Sequence, residues 1–175
     1  MRLLIGRSIG VKTNGRCEFW SPPPLGFMKL NVDGAMKCDC SSGGIGGAIR
    51  NSNGALIASF SDSISSGLPI LAKLLALKFG LLLFGSQSEC KLSRLIVECD
   101  CKIALGWISN PCLCPSPYKS FVKEIVSLGT ARSSIFRWIP RNITLEADTL
   151  AKEGMNIRSV EFYLTFIPRD VCYIE

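Results

Sequence analysis

Alternating apolar and polar positions predict three strands in the first part of the chain. The run "MKLNVD" (28–33) alternates as a strand with one buried face does. Two further runs, "GIGGAIR" (44–50) and "ALIASFS" (55–61), flank "NSNG" (51–54), whose Asn-Gly step is a strong hairpin signal. We therefore expect three strands that are joined by hairpins.

Farther along the chain, the apolar positions recur at helical spacing. The run "ILAKLLALKFGLLLFG" (70–85) predicts a largely buried helix. It approaches the length of a membrane span only when Lys73 and Lys78 are counted, which favours a packed helix over a span. Further helices are predicted over 100–109 with Asp100 near the N-cap, over 118–129, and over 145–154 with Gly154 as the C-cap.

Two later runs complete the predicted sheet. "RLIVEC" (94–99) is a short β-branched run typical of a buried strand, and "SIFRWIP" (134–140) is the last strand. The long connection before residue 94 is sufficient to place that strand parallel to the first one. The order β-β-β-α-β-α-α-β-α predicts an α/β fold with a mixed five-stranded sheet, three antiparallel strands and then two parallel ones, flanked by helices.

A proline-rich segment divides the chain into predicted regions. "SPPPLG" (21–26) continues neither a helix nor a central strand, so residues 1–26 are predicted to be an N-terminal extension and linker. Residues 27–155 form the predicted domain. Residues 156–175 form a C-terminal tail, and its alternating apolar run fits either an added strand or a partner-binding segment.

Composition indicates a folded domain that tolerates a polyanionic partner. Of the 175 residues, 47% are hydrophobic and 19% are charged, which excludes a disordered chain. The net charge of +6 permits contact with nucleic acid without requiring it.

Nine cysteines and no histidine bear on the compartment and on metal binding. Three pairs have Cys-x-Cys spacing, which is shorter than zinc sites use: Cys38 and Cys40, Cys99 and Cys101, and Cys112 and Cys114. The odd count, and a start without an apolar secretory core, favour reduced thiols in an intracellular protein, nuclear or cytoplasmic. Basic residues before Glu18 leave organellar targeting open, and a zinc or redox protein stays as a disfavoured alternative.

Acidic residues stand at matching ends of the predicted elements. Asp33 ends the first strand and Asp100 follows the fourth, so the two carboxylates meet at one sheet edge if those strands are neighbours. Asp148, near the start of the last helix, supplies a third. Ordinary local structure is the alternative for each, because Asp33 and Gly34 also fit a turn and the other two fit helix caps.

Five segments between Pro22 and Gly154 carry a resemblance to a known family. They are "PPPLGFMKLNVDGA", "GIGGAIRNSNGALIASFS", "LAKLLALKFGL", "LIVECDCKIALGWI" and "FRWIPRNITLEADTLAKEG". In this order they resemble the ribonuclease H type-1 domain, in the version found in plant proteins and LINE-type retrotransposon reverse transcriptases. The resemblance implies the ribonuclease H fold and hydrolysis of the RNA strand of RNA–DNA hybrids with magnesium ions.

The resemblance also implies residue roles. Asp33, Asp100 and Asp148 match the catalytic carboxylates that hold two metal ions, and magnesium prefers such oxygen ligands. Weaker candidates for substrate contact are Gly34, Ser41, Ser42 and Arg141.

Three positions depart from the family pattern. Lys73 stands where the family has a glutamate, and at an effective dielectric of about 20 each unit charge pair at 4 Å is worth roughly 4 kcal/mol. Trp138 stands where the family commonly has a histidine, and a core or rim aromatic is its expected role. The loop "CDCSS" (38–42) replaces a hybrid-binding turn. We therefore expect a degenerate active site with an incomplete two-metal centre.

These observations leave two main functional hypotheses. The first is a magnesium-dependent RNA–DNA hybrid endoribonuclease, a hydrolase, whose activity is weakened or lost at Lys73 and Trp138. The second is a catalytically inactive, retroelement-derived protein that binds nucleic acid, either an RNA–DNA hybrid or another duplex. In both we expect a monomer without a membrane partner.

Overall fold

Strands and helices follow each other in the predicted order. The computed structural model describes residues 11–13, 16–18 and 20–157. Its elements are β1 (Val11–Thr13), β2 (Arg16–Glu18), β3 (Phe27–Met36), β4 (Gly43–Arg50), β5 (Leu56–Ile64), α1 (Pro69–Ser86), β6 (Arg94–Cys99), α2 (Lys102–Ser109), α3 (Lys119–Ala131), β7 (Ile135–Trp138) and α4 (Leu145–Gly154). The predicted C-terminal tail from residue 158 onward lies outside the described residues.

The main sheet has five strands in the order β5-β4-β3-β6-β7. Strand β3 pairs antiparallel with β4, and β4 pairs antiparallel with β5. Strand β6 runs parallel to both β3 and β7. The predicted mixed sheet is therefore confirmed. A separate two-stranded sheet of β1 and β2 lies in the predicted N-terminal extension, where the pattern predicted no strand.

The predicted hairpin between β4 and β5 is confirmed at the level of its turn. The Asn51 side-chain oxygen accepts the N–H groups of Asn53 and Ala55, each at 3.0 Å. Gly54 has a φ of +78°, a left-handed conformation that glycine adopts without a Cβ clash. Local chemistry alone therefore sets this turn.

Helix α1 packs across one face of the sheet. Leu74 and Leu77 are fully buried, and a Cβ at Gly34 of β3 would lie 2.4 Å from the carbonyl carbon of Ala72. This close approach fixes the helix against β3. By length and composition alone, with a mean hydropathy of 1.6, α1 also meets the criteria for a membrane span. Helices α2 and α3 complete the layer on this side.

Helix α4 lies on the opposite face at backbone contact distance. A Cβ at Gly46 of β4 would lie 2.3 Å from the Ala151 nitrogen, so only glycine fits there. Ser61 of β5 donates its hydroxyl hydrogen to the Leu150 carbonyl oxygen at 2.6 Å. Small residues on two strands thus bring α4 close to the end of β3.

Gly154 has a different role from the predicted helix cap. Helix α4 does end at Gly154, but the C-cap is Met155, which has ordinary right-handed dihedral angles. A Cβ at Gly154 would lie 2.3 Å from the Asp62 carbonyl oxygen. The glycine is therefore required for contact with β5, and the prediction of a glycine C-cap is wrong.

A buried polar network covers the same face of the sheet near the start of β3. Lys29 and Glu98 form an ion pair of 3.1 Å between side chains that are 5% and 3% exposed. The Asn31 side-chain amide donates to Glu98 at 2.9 Å, and the Trp20 indole N–H donates to Asn31 at 3.0 Å. Lys29 also donates to the Ser21 carbonyl oxygen at 2.7 Å. Residues before the proline-rich segment therefore contact the sheet directly.

Candidate carboxylate site

Asp33 lies inside β3, and Asp100 directly follows β6, the parallel neighbour of β3. The register pairs Asn31 of β3 with Glu98 of β6. Because side chains alternate along a strand, Asp33 and Asp100 come next on the same face. Both carboxylates contact the ammonium of Lys73. The predicted meeting of these two acids at one sheet edge is observed.

Lys73 projects from α1 between the two carboxylates. Its Nζ donates to Asp33 Oδ1 and, at 2.6 Å, to Asp100 Oδ1. The lysine side chain is 14% exposed. Burial opposes its charge, but the hydrogen bonds to Asp100 and Asp33 outweigh burial and raise the pKa of Lys73. The lysine is therefore a cation at neutral pH.

Asp33 is fully buried, and only one of its two carboxylate oxygens accepts hydrogen bonds from the described residues. Its Oδ1 accepts the Gly34 N–H at 2.7 Å as well as Lys73. Its Oδ2 has no hydrogen-bond partner among the described residues. Burial raises the pKa of Asp33 against the opposing hydrogen bond and charge of Lys73. Both Asp33 and Gly34 lie inside β3, so the alternative interpretation as a turn is wrong.

Asp100 does not cap the following helix. Helix α2 begins at Lys102, and its N-cap is Cys101, whose sulfur accepts the Ala104 N–H at 3.5 Å. The carboxylate of Asp100 is therefore directed to Lys73. We call Asp33, Lys73 and Asp100 the inner cluster.

Asp148 belongs to a second group of charges. Its Oδ2 lies 2.5 Å from Lys152 Nζ, and its Oδ1 lies 3.3 Å from an Arg141 nitrogen. Burial opposes ionisation, but hydrogen bonds from Lys152 and Arg141 outweigh it and lower the pKa of Asp148. We call Asp148, Arg141 and Lys152 the rim cluster. The structure does not join Asp148 to the ammonium that links Asp33 and Asp100.

The field of the inner cluster nevertheless reaches Arg141. The pKa of Arg141 is raised first by its hydrogen bond to Asp148 and by the charge of that carboxylate, and further by the charges of Asp33 and Asp100. Arg141, a candidate for substrate contact, is therefore the member of the rim cluster that is influenced by both groups of acids, and its side chain is 70% exposed.

The inner cluster does not fit a divalent ion in this arrangement. In the described part of the chain, no three His, Cys, Asp or Glu side chains are grouped to hold a metal. Lys73 fills the position between the two acids, and an ammonium has three donors and no lone pair to offer a metal. The Lys73 ammonium is thus the cation that both acids contact.

Trp138 is a rim aromatic, as expected from the sequence. It is 43% exposed, and its indole N–H donates to the Asp100 carbonyl oxygen at 3.0 Å. The Lys102 ammonium lies 4.4 Å from the ring centroid, within the range of a cation–π contact. Trp138 therefore holds the backbone at Asp100, and its exposed ring lies beside the positive charge of Lys102.

The loop after β3 bonds mainly to itself. The Ser41 N–H and hydroxyl both donate to Asp39 Oδ1, at 3.0 and 2.7 Å. The Ser42 carbonyl oxygen accepts the Lys37 N–H at 2.9 Å, and Cys40 has a φ of 55°. The hydroxyl of Ser41 is thus engaged within the loop.

Sequence reasoning missed Lys152 and Lys102 as parts of the site. Lys152 is four residues after Asp148, a spacing at which opposite charges on a helix meet, so the pair was detectable in the sequence. Lys102 had no such signal, because its contact is with Trp138 on another element.

Seven cysteines have described side chains, and none of these seven forms a disulfide. Cys38, Cys40, Cys90, Cys99, Cys101, Cys112 and Cys114 are all free thiols. Cys99, directly before Asp100, is fully buried, and burial raises the pKa of its thiol to about 12. Such a thiol is inert at neutral pH.

Comparisons with known proteins agree with this geometry. The family model described as "Reverse transcriptase-like" matches residues 31–154. Among curated proteins, none matches this sequence. The RNase H1 of the halophilic archaeon Halobacterium salinarum NRC-1 superposes with a TM-score of 0.66 at 18% identity, over 74% of this chain and 97% of that one.

Two solved complexes are similar in fold. LC11-RNase H1 in complex with an RNA/DNA hybrid has a TM-score of 0.66 at 20% identity, over 74% of this chain and 96% of that one. A foamy viral protease-reverse transcriptase in complex with dsDNA has a TM-score of 0.58 at 17% identity, over 76% of this chain and 97% of that one. The chain belongs to the reverse transcriptase-like family, and its domain is of the ribonuclease H type.

Proposed function

We propose that this chain is a nucleic-acid-binding domain of the ribonuclease H type that cleaves RNA–DNA hybrids weakly or not at all. The observation that carries the proposal is the contact of the Lys73 ammonium with both Asp33 and Asp100. Nucleic acid as the partner is supported by the family match and by the hybrid and dsDNA complexes of proteins with this fold.

Loss of hydrolysis follows from charge and from proton chemistry. A dication next to Lys73 would be repelled by roughly 4 kcal/mol per unit charge at 4 Å and an effective dielectric of about 20. Metal-assisted hydrolysis needs that cation to activate water and to stabilise the leaving oxygen. Trp138 cannot transfer a proton in place of a histidine, because its indole only donates a hydrogen bond.

Binding is supported by cations around the exposed edge of the site. Arg141 and Lys152 have side chains that are 70% and 57% exposed, and Arg137 is 55% exposed. Lys102 lies beside Trp138 on the same rim. Exposed arginine and lysine groups bind phosphates with little dependence on sequence and with a steep dependence on salt. A duplex lying across this rim would place its phosphates on these side chains.

A cleavage assay tests the catalytic part of the proposal. Wild type, Lys73→Glu and Lys78→Glu are compared with an RNA–DNA hybrid in magnesium. Lys78 is a matched control, because it is a lysine of the same helix with a side chain as buried as that of Lys73, and it pairs with the half-exposed Glu124. We expect background rates for wild type and Lys78→Glu, and a gain only for Lys73→Glu. A wild-type rate equal to that of Lys73→Glu and well above background would contradict the proposal.

A binding assay tests the partner. Fluorescence anisotropy with a labelled hybrid duplex, repeated over a range of salt, measures affinity and its salt slope. Arg141→Gln and Lys152→Gln should each weaken binding and reduce the slope by about one. Lys123→Gln, exposed on α3, should change neither. Absence of binding by the wild type at low salt would exclude a nucleic-acid partner of this kind.

A further inference from the structure

The inner cluster combines two poorly solvated acids with one shared cation. The side chain of Asp33 is 0% exposed and that of Asp100 is 11% exposed. Carboxylates in such positions repel each other strongly, because little water screens them. Among the described residues, both acids form ion pairs with Lys73, whose side chain is 14% exposed.

We propose that Lys73 is a built-in cation that lets this domain fold and keep its carboxylates together without any divalent metal. The inference deepens the proposed function and rests on it in treating this site as a degenerate nuclease site. It concerns the free protein, so it is tested without nucleic acid.

Lys73 is positioned so that its single positive charge contacts both acids. Its helix is fixed against β3 by the backbone contact of Ala72 with Gly34, so the lysine side chain begins beside Asp33. The ammonium then donates to one oxygen of Asp33 and one of Asp100. Two of its three donors are used on the acids that a metal would otherwise bridge.

One acceptor in the cluster stays unused. Asp33 Oδ2 is fully buried and has no partner among the described residues. A glutamate at position 73 would add a third carboxylate beside this oxygen and remove the ammonium. The cluster would then hold three acids and no cation in a buried place, and proton uptake or a divalent ion would have to reduce their repulsion.

The neighbouring charges do not provide an alternative to Lys73. Arg141 is the nearest basic group of the rim cluster, but it bonds to Asp148 and is 70% exposed. Lys78, on the same helix, pairs with Glu124 at 2.5 Å. Among the described residues, removal of Lys73 therefore leaves the two acids without a contacting cation, whereas removal of Lys78 takes a cation from Glu124, whose side chain is 52% exposed.

Thermal unfolding of the full chain, in EDTA and in millimolar magnesium chloride, tests the proposal. We expect the wild-type midpoint to be the same in both buffers within about 1 °C. Lys73→Glu should lose about 10 °C in EDTA, as expected for breaking a buried pair, and should recover much of that loss in magnesium. Lys78→Glu controls for a new glutamate on α1 and should show no such recovery.

Three results would overturn the proposal. One is a wild-type midpoint that rises by several degrees in magnesium, since the site would then bind metal despite Lys73. Another is a magnesium response of Lys73→Glu no larger than that of Lys78→Glu. If Lys73→Glu folds in neither buffer, Lys73→Gln decides, because it removes the charge and adds no acid. Magnesium must then stabilise Lys73→Gln more than wild type, and an equal response refutes the idea.

Failure of the built-in-cation proposal can be distinguished from failure of the proposed function. The midpoints report the cation requirement of the free domain, and they are independent of whether a hybrid is bound or cut. A wild type that is indifferent to magnesium but still cleaves hybrids would refute the proposed function while the built-in cation stands.

Discussion

The inner and rim clusters both combine buried carboxylates with basic side chains, but the basic side chains differ in exposure. In the inner cluster one lysine serves two acids, and all three side chains are at most 14% exposed. In the rim cluster one acid has two cations, whose side chains are 57% and 70% exposed. Burial raises the pKa of Asp33, whereas hydrogen bonds from Lys152 and Arg141 overcome burial and lower the pKa of Asp148.

The difference shows that the number of cations around an acid does not measure their contribution to stability. Exposed partners are screened by water and typically contribute about 0.2–1 kcal/mol. A buried partner cannot be removed without leaving an uncompensated charge, which typically costs about 3–5 kcal/mol. Substitutions in each cluster therefore test this contrast.

Replacing Lys73 with methionine should lower the free energy of unfolding by about 3–5 kcal/mol, because Asp33 and Asp100 lose their shared cation. Urea denaturation followed by circular dichroism measures this change. The matched variant in the rim cluster, Lys152→Met, should lose less than about 1 kcal/mol. Equal losses in the two variants would contradict the contrast between the clusters.

Replacing Gly34 with alanine should cost about 1–3 kcal/mol by overpacking. The new Cβ would lie 2.4 Å from the Ala72 carbonyl carbon, so α1 must move away and carry Lys73 with it. Gly106 of α2 is the control, because a Cβ there meets nothing within 4 Å. Gly106→Ala should stabilise the protein by up to about 1 kcal/mol through helix propensity. If urea denaturation shows no change in the free energy of unfolding for Gly34→Ala, the contact between β3 and α1 can adjust at little cost.

Replacing Asp148 with asparagine should cost about 1 kcal/mol at neutral pH. The folded-state pKa of Asp148 is lowered, so its contribution is present above the unfolded-state value near 3.9 and is lost as the pH falls through the folded-state value. The difference in the free energy of unfolding between wild type and Asp148→Asn, measured by urea denaturation at several pH values, should therefore disappear in acid. If this stability difference persists below the folded-state pKa of Asp148, the carboxylate charge does not cause it.

The smallest expected effect is that of salt on the rim cluster. Lys152→Gln should cost about 0.5 kcal/mol in dilute buffer, and the loss should fade at about 1 M salt, where the screening length is near 3 Å. The loss in Lys73→Met should persist at the same salt concentration, because its charges are buried. Similar salt responses of the two variants in urea denaturation would remove the distinction.

Local chemistry explains which parts of this structure were predictable from sequence. The Asn53–Gly54 turn depends on neighbouring residues, and the strand order depends on patterns of apolar residues, so both were predicted correctly. The family resemblance points to Lys73, because this lysine stands where the family has a glutamate. Its two contacts agree with that position.

The remaining features depend on contacts between distant elements. Gly154 reads as a helix cap, but its role comes from the approach of β5. Cys101 rather than Asp100 caps α2, because the carboxylate of Asp100 is engaged by Lys73. Asp148 bonds to Arg141 and Lys152, and the Arg141 contact joins a side chain of the loop before α4 to one on the helix.

The contact of Trp20 with the sheet has a practical consequence for anyone who isolates this domain. A fragment cut just after the prolines would lose the indole that donates to Asn31 and the Ser21 carbonyl oxygen that accepts from Lys29. The Lys29–Glu98 pair would then gain access to water on a side that is now closed. Expression boundaries for this protein belong upstream of Trp20, because the residues that seal the underside of the sheet precede the proline run.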